Sequence, residues 1–241
     1  MKRKVISKKR LKKLILDGIT TEELKAYDYS HITDMGGMFE SCTSLITIPE
    51  LDTSNVLNMR GMFQDCNSLE TIPLLDTSKV TDMSYMFYDC VKLEKIPKLN
   101  TINVLDMQSM FWRCTSLTTI PELDTSNVKI FGNMFRNCDL LTHIPQLDTS
   151  SVVNMFSMFG NCIALKEMPQ LDTSSVVNMR NMFRGCSSLK KIPELDTTKV
   201  KEMSNIACHC ISLEEIFYDS RIDFDKVNSI KLKENYPEYF I

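Results

Sequence analysis

Apolar residues return along this chain with a beat of 24 positions. Numbered in the copy that begins at Leu51, the apolar columns are Val56, Met59, Met62, Phe63, Cys66, Leu69, Ile72 and Leu75, and polar residues fill most positions between them. From Met59 to Cys66 the apolar steps are three, one and three, the spacing of one face of a short helix. Asn58, or Asp at the equivalent Asp34, Asp82 and Asp106, stands just ahead and is placed to cap it. Leu69 to Ile72 reads as a short extended run that stops at Pro73, because proline has no amide hydrogen for a ladder. Asp52–Thr53–Ser54 supplies a turn whose side-chain oxygens can bond nearby amides.

The unit LDTSNVLNMRGMFQDCNSLETIPL therefore predicts one coil: strand, turn, short helix, return loop. A degenerate first copy starts at Tyr27 and a degenerate last copy at Leu195, giving eight copies over residues 27–218. Such a period marks a solenoid, whose units bury their faces only against one another. The expected fold class is an α/β solenoid: a leucine-rich-repeat-like curved array of eight 24-residue coils. Short parallel strands would line the concave face and short helices the convex face. The curvature follows from spacing, since strands stack at roughly 4.8 Å and helices pack at roughly 8–10 Å.

The ends depart from the beat. Residues 1–26 form a basic leader, in which Leu11, Leu14 and Ile15 have helical spacing, Gly18 can end that helix, and Thr20 with Glu23 reads as a capping box for a second short helix. The expectation is a helical N-terminal cap; a basic tail that seeks an acidic partner or membrane surface is the alternative. Residues 219–241 carry Phe224, Val227, Ile230 and Leu232, then Tyr236, Tyr239 and Phe240, and read as a C-terminal cap, with a partner-binding aromatic tail as the alternative. Domains are thus expected at 1–26, 27–218 and 219–241.

Composition changes the picture in two places. The apolar 43 % includes 16 Met and 9 Cys, most of them in repeat columns, where both types serve as adaptable core fillers. The cysteines follow the repeat period rather than a metal-site spacing, so a buried thiol ladder is expected, with disulfides or metal as alternatives. The net charge of −3 hides an asymmetry: residues 1–13 hold eight basic side chains and no acid, leaving −11 on the rest. An acidic body disfavours nucleic acid. No segment approaches the roughly 20 apolar residues of a membrane span, and Leu14–Leu16 is too short for a secretory signal.

The pattern LDTSxVxxMxxMFxxCxSLxxIPxLDTS is similar to the BspA-like leucine-rich-repeat family of bacterial surface proteins, in particular its mycoplasma-lipoprotein type. The resemblance implies a leucine-rich-repeat solenoid and a role in adhesion or in binding host and neighbouring-cell proteins. This chain departs from it in showing neither a signal peptide nor an early lipid-anchor cysteine, the first being Cys42. The residues point to the cytosol and the resemblance to the cell surface or outside.

Catalysis needs unlike groups that converge, and the repeats present like groups in rows. His31, His143 and His209 fall in different columns, and no phosphate-cradling Gly loop is present. No enzyme activity, cofactor or metal is expected. The column Asp28, Asp52, Asp76, Asp124, Asp148, Asp172 and Asp196, interrupted by Asn100, is expected to cap turns through the following Thr and Ser, with shared calcium as the alternative.

Recognition must lie where repeats differ. On the expected helix side, Tyr88, Trp112 and Arg136 stand at one column on consecutive coils, with Arg184 further along and Tyr85, Arg113 and Phe156 nearby. Trp, Tyr and Arg are enriched at binding hot spots; ordinary side-chain cover of a helix is the alternative. The expected function is non-enzymatic protein recognition by a monomeric solenoid resembling surface adhesins. An intracellular scaffold or inhibitor that holds a cytosolic protein is the rival.

Overall fold

The computed structural model describes residues 3–217, 219–227, 230–235 and 237. It opens with strand β1 (Lys4–Val5), helix α1 (Lys8–Leu16) and helix α2 (Thr21–Leu24), and β1 then pairs in parallel with β2 (Tyr27–Asp28). Helix α1 buries Leu11, Leu14 and Ile15, as their spacing requires, and Gly18 follows at φ +86°. The Thr20–Glu23 capping box forms in both directions, with the Thr20 amide donating to Glu23 Oε2 at 2.9 Å. The β1–β2 pair was not legible in the sequence, because two residues carry no periodicity.

From there the chain is a repeat solenoid whose columns turn inward. Val56, Met59, Met62, Phe63, Cys66, Leu69, Ile72 and Leu75 are all buried, as are their equivalents through most of the chain. Seven phenylalanines, Phe39 through Phe183, stack face to face with ring centroids 5.5–5.7 Å apart and planes within 11°. Such contacts add roughly 0.5–1.5 kcal/mol per pair beyond area burial. Ala207 ends the column.

The expected helices are absent. Among the described residues between 29 and 217 there is no helix, and pairing is limited to isolated bridges. Met59, Gly61, Phe63 and Asp65 donate their amides to the carbonyls of Asp82, Ser84, Met86 and Tyr88 on the next coil, at 2.8–3.0 Å. The intervening Met62, Gln64 and Cys66 donate back three residues within their own coil. An α-helix would send every amide to the fourth residue before it. Here alternate amides point along the solenoid axis, so the coil is a run of tight turns. Two left-handed residues per coil enforce this, Gly61 at φ +57° and Asp65 at φ +58°, and the same two columns are left-handed in coil after coil. Left-handed residues at a four-residue interval break a helix, and Gly, Asn and Asp tolerate that conformation best.

The expected strands are also reduced. The Leu69–Ile72 run and its equivalents make an amide-to-carbonyl hydrogen bond at some coil-to-coil steps, such as Glu70 to the Ile46 carbonyl at 3.0 Å, plus a single bridge between Lys191 and Glu215. Without helices 8–10 Å wide on one side, the predicted cause of a concave strand face and a convex helix face is gone.

Asn58 caps no helix. Its Oδ1 accepts the amide of Arg60 at 2.9 Å, and Asp82 and Asp106 do the same for Ser84 and Gln108. This column, from Asp34 to Glu202, forms the continuous row of parallel bridges.

At the far end, Ile222, Phe224, Val227 and Leu232 are buried, Phe224 in a 3-10 turn (Phe224–Lys226) and Leu232 in helix α3 (Ile230–Asn235). The His209 amide, which in earlier coils would find the next coil, finds the Lys226 carbonyl at 3.1 Å. Arg221 reaches back to the Thr197 carbonyl at 3.0 Å while paired with Asp219 at 2.8 Å, and that partner holds the Asp219 carboxyl far below its ordinary range. Ile230, expected on the apolar face, is 76 % exposed at the start of α3. Tyr218, Tyr236, Tyr239 and Phe240 lie outside the described residues.

Candidate recognition surface

Between the Met and Cys columns lie the positions at which the coils differ, and the larger side chains there reach the surface in part. On this face Tyr85 and Tyr88 lie 6.1 Å apart, and Tyr88 meets Trp112 edge-on at 5.1 Å. The Arg136 guanidinium lies over the Trp112 ring, 5.1 Å from its centre. Arg60, which the sequence reading passed over, covers the Tyr85 ring at 4.8 Å and donates to Ser84 Oγ at 2.8 Å. Gln108 donates to the Tyr85 hydroxyl at 2.7 Å. Arg113 is ion-paired to Asp89 at 2.8 Å. Five of the seven residues singled out in the sequence, Tyr85, Tyr88, Trp112, Arg113 and Arg136, thus stand on three adjacent coils, and Arg60 joins them from the coil before.

Phe156 and Arg184 share the face, with no ring or charge contact to that cluster among the described residues. Phe156 is half-buried, its carbonyl taking the Asn133 amide at 2.7 Å, and Arg184 is exposed. Gly160 stands in the Arg136 column, where a Cβ would lie in ordinary contact 3.6 Å from Arg136 Cγ.

Two members of the cluster sit in unfavourable backbone. Tyr85 is at φ +60° and Arg113 at φ +65°, in columns otherwise held by Gly, Asn, Asp, Ser and His. Both backbones cost more for a large side chain than for the glycine or asparagine found elsewhere in these columns. The available signal was in the sequence: a large side chain in a column of small, turn-forming ones.

The remaining columns are structural. In the repeat column each thiol, Cys66, Cys90, Cys114, Cys138, Cys162, Cys186 and Cys210, donates to the carbonyl of a phenylalanine 27 residues earlier at 3.0–3.1 Å, as Cys90 does to Phe63. All nine cysteines are free. Burial pushes the thiols of Cys66, Cys162 and Cys210 up to about 12. The Asp column caps turns: Asp124 accepts both the Ser126 hydroxyl at 2.6 Å and its amide at 3.1 Å, and the hydroxyl is the larger cause of its depressed pKa.

A second surface was missed in the sequence. Leu74, 69 % exposed, and Ile102, 48 % exposed, line a groove of about 870 Å³ with Leu99, Asp124 and Gln146. Both replace polar residues of their columns, Leu74 where Glu50 and Glu122 stand and Ile102 where Ser54 and Ser126 stand.

Residues 11–122 and 115–220 match the family described as mycoplasma protein of unknown function, DUF285. The chain belongs to this family. None of the curated proteins compared with it matches. Three solved structures similar to it are bacterial leucine-rich-repeat proteins. One from T. pallidum is 18 % identical over 64 % of this chain and 71 % of that one, with a TM-score of 0.40. One from Bacteroides ovatus is 15 % identical over 81 % and 78 %, with a TM-score of 0.39. One from Eubacterium ventriosum is 14 % identical over 70 % of this chain, which spans 59 % of that structure, with a TM-score of 0.39. The mycoplasma type of repeat read from the LDTS and MFxxC motifs agrees with the family match.

Proposed function

We propose that this member of the mycoplasma family is a non-enzymatic protein-binding solenoid, and that its partner docks on the Tyr85–Tyr88–Trp112–Arg136 cluster. The observation that carries the reading is the cluster itself: three aromatic rings and two guanidinium groups in contact, with Tyr85 among them in a costly left-handed position. Hydrophobic columns that repeat unchanged build the rod, and side chains that differ from coil to coil carry recognition. The leader 1–26 and the segment 219–241 act as caps that close the first and last coils, which an open solenoid end requires.

Affinity capture from the native host tests the docking site. The chain should recover a partner that Trp112→Ala with Arg136→Ala does not, and equal recovery by both would discard the cluster. Protease treatment of intact cells separates the adhesin-like form of this reading from an intracellular scaffold: cleavage of the chain places it outside, and full protection places it inside.

A further inference from the structure

Charge is sorted by residue type in this protein. All five arginines between residues 27 and 217, Arg60, Arg113, Arg136, Arg180 and Arg184, fall within the eight-residue Met-to-Cys segments, and none of the ten lysines of that region does. The aromatic side chains that leave the core columns between residues 30 and 216, Tyr85, Tyr88, Trp112 and Phe156, fall in the same segments. Because those segments stack coil on coil, the arginines and rings share one face. From residue 107 onward these segments contain Arg113, Arg136, Arg180 and Arg184 and no acid at all. A guanidinium-bearing strip therefore runs along a body whose residues 14–241 otherwise carry a large negative excess.

Arginine and lysine are not equivalent at such a place. The guanidinium is a planar fork that binds carboxylates two bonds at a time and stacks on rings, whereas ammonium is a strongly hydrated point charge. A solubilising surface has no need to choose between them. The rings beside the arginines lower the local dielectric and hold the stems flat, as Trp112 does for Arg136 and Tyr85 for Arg60. We infer that this face takes an acidic polypeptide segment, its carboxylates held by Arg136, Arg180 and Arg184 and its apolar side chains set against Trp112 and the two tyrosines. The inference rests on the protein-binding reading above and specifies the chemistry of its partner.

A protein segment is favoured over nucleic acid by what flanks the strip. The bridge row beside it contains Asp82, Asp106 and Glu202. Asp82 and Asp106 stand beside the Tyr85–Trp112 end of the strip and Glu202 beside its Arg180 end, with Ile130, Asn154 and Asn178 between them. A polyphosphate backbone would run from the strip into these acids, while a short carboxylate segment can stay within it.

Direct titration tests this. The probes are a fluorescent Glu-rich 15-residue peptide carrying one Tyr, the same peptide with Lys for Glu, and a 15-nucleotide oligothymidylate. The full chain should bind the Glu peptide at least tenfold more tightly than either other probe, and added salt should weaken it. Arg180→Glu with Arg184→Glu, both at exposed positions, should lose that binding tenfold or more. Lys166→Glu with Lys201→Glu makes the same change in net charge off the strip and should keep it. The inference is overturned if the Glu peptide binds no better than the Lys peptide, if the oligonucleotide binds best, or if both double variants weaken the peptide equally. Should Trp112→Ala with Arg136→Ala lose the captured partner while the Glu peptide shows no preference, the docking cluster stands and its acidic partner does not.

Discussion

The Gly61 amide donates to the carbonyl of Ser84, 2.8 Å away on the next coil, from a backbone at φ +57°. That one contact contains the difference between the coil the periodicity suggests and the coil that forms. In a helix the same amide would point back along its own segment. Here it points across, and the left-handed backbone at residue 61 takes the chain off the helical path.

Gly61 and Gly132 therefore answer differently to alanine. Gly61→Ala places a Cβ in left-handed backbone, 3.2 Å from Gln64 Oε1, and should destabilise the chain by about 1–2 kcal/mol. Gly132 is not left-handed and has nothing nearer than 3.8 Å, so Gly132→Ala should be neutral or stabilise by about 0.5 kcal/mol. Denaturant titration measures both. A helical coil would instead gain about 1 kcal/mol from Gly61→Ala.

The thiol ladder should be chemically silent while the protein is folded. Cys42 is half-buried, and the thiols from Cys66 to Cys210 are buried. An aromatic disulfide reagent at pH 8 should modify Cys42 quickly and the others only after denaturant is added. The same burial makes stability depend on alkali. Cys66, Cys162 and Cys210 are raised from 9.0 to about 12, so the folded state keeps protons that the unfolded chain gives up. Their contribution is complete below pH 9 and declines as the pH climbs from 9 towards 12, where the denaturation midpoint should fall steadily.

The Asp column gives the opposite dependence at low pH. Hydroxyl and amide donors of Ser78, Ser126 and Ser174 hold Asp76, Asp124 and Asp172 below their ordinary value of 3.8. The stability tied to these carboxylates is present above that value and is lost as the pH falls through the depressed range. Ser126→Ala with Ser174→Ala removes the hydroxyl donors and keeps the amides. Carboxyl carbon shifts should then show Asp124 and Asp172 titrating at higher pH, and the acid unfolding midpoint should move up with them.

Trp112 separates binding from folding. It is half-buried and its ring meets Tyr88 and Arg136, so Trp112→Ala should cost about 1 kcal/mol of stability. Loss of an aromatic anchor at a docking site costs 2 kcal/mol or more in binding, roughly thirtyfold. Calorimetric melting and a binding titration with the captured partner compare the two effects.

The sequence alone determined which side chains are interior. A fixed period puts like residues in register, and an apolar column that recurs at one position can only be buried by its own copies, so Met62, Phe63 and Cys66 were assigned inside without coordinates. It also determined the leader's helix and capping box, which are local, and the outward position of Trp112. Only the tertiary structure decided the path of the backbone between those columns. Apolar steps of three, one and three fit a helix and a run of tight turns equally well; the choice depends on where each amide finds its carbonyl, and for Gly61, Phe63 and Asp65 that carbonyl belongs to the next coil. The meeting of Arg60 with Tyr85, and of Arg136 with Trp112, was hidden for the same reason: partners 24 or 25 residues apart become neighbours only when the coils stack.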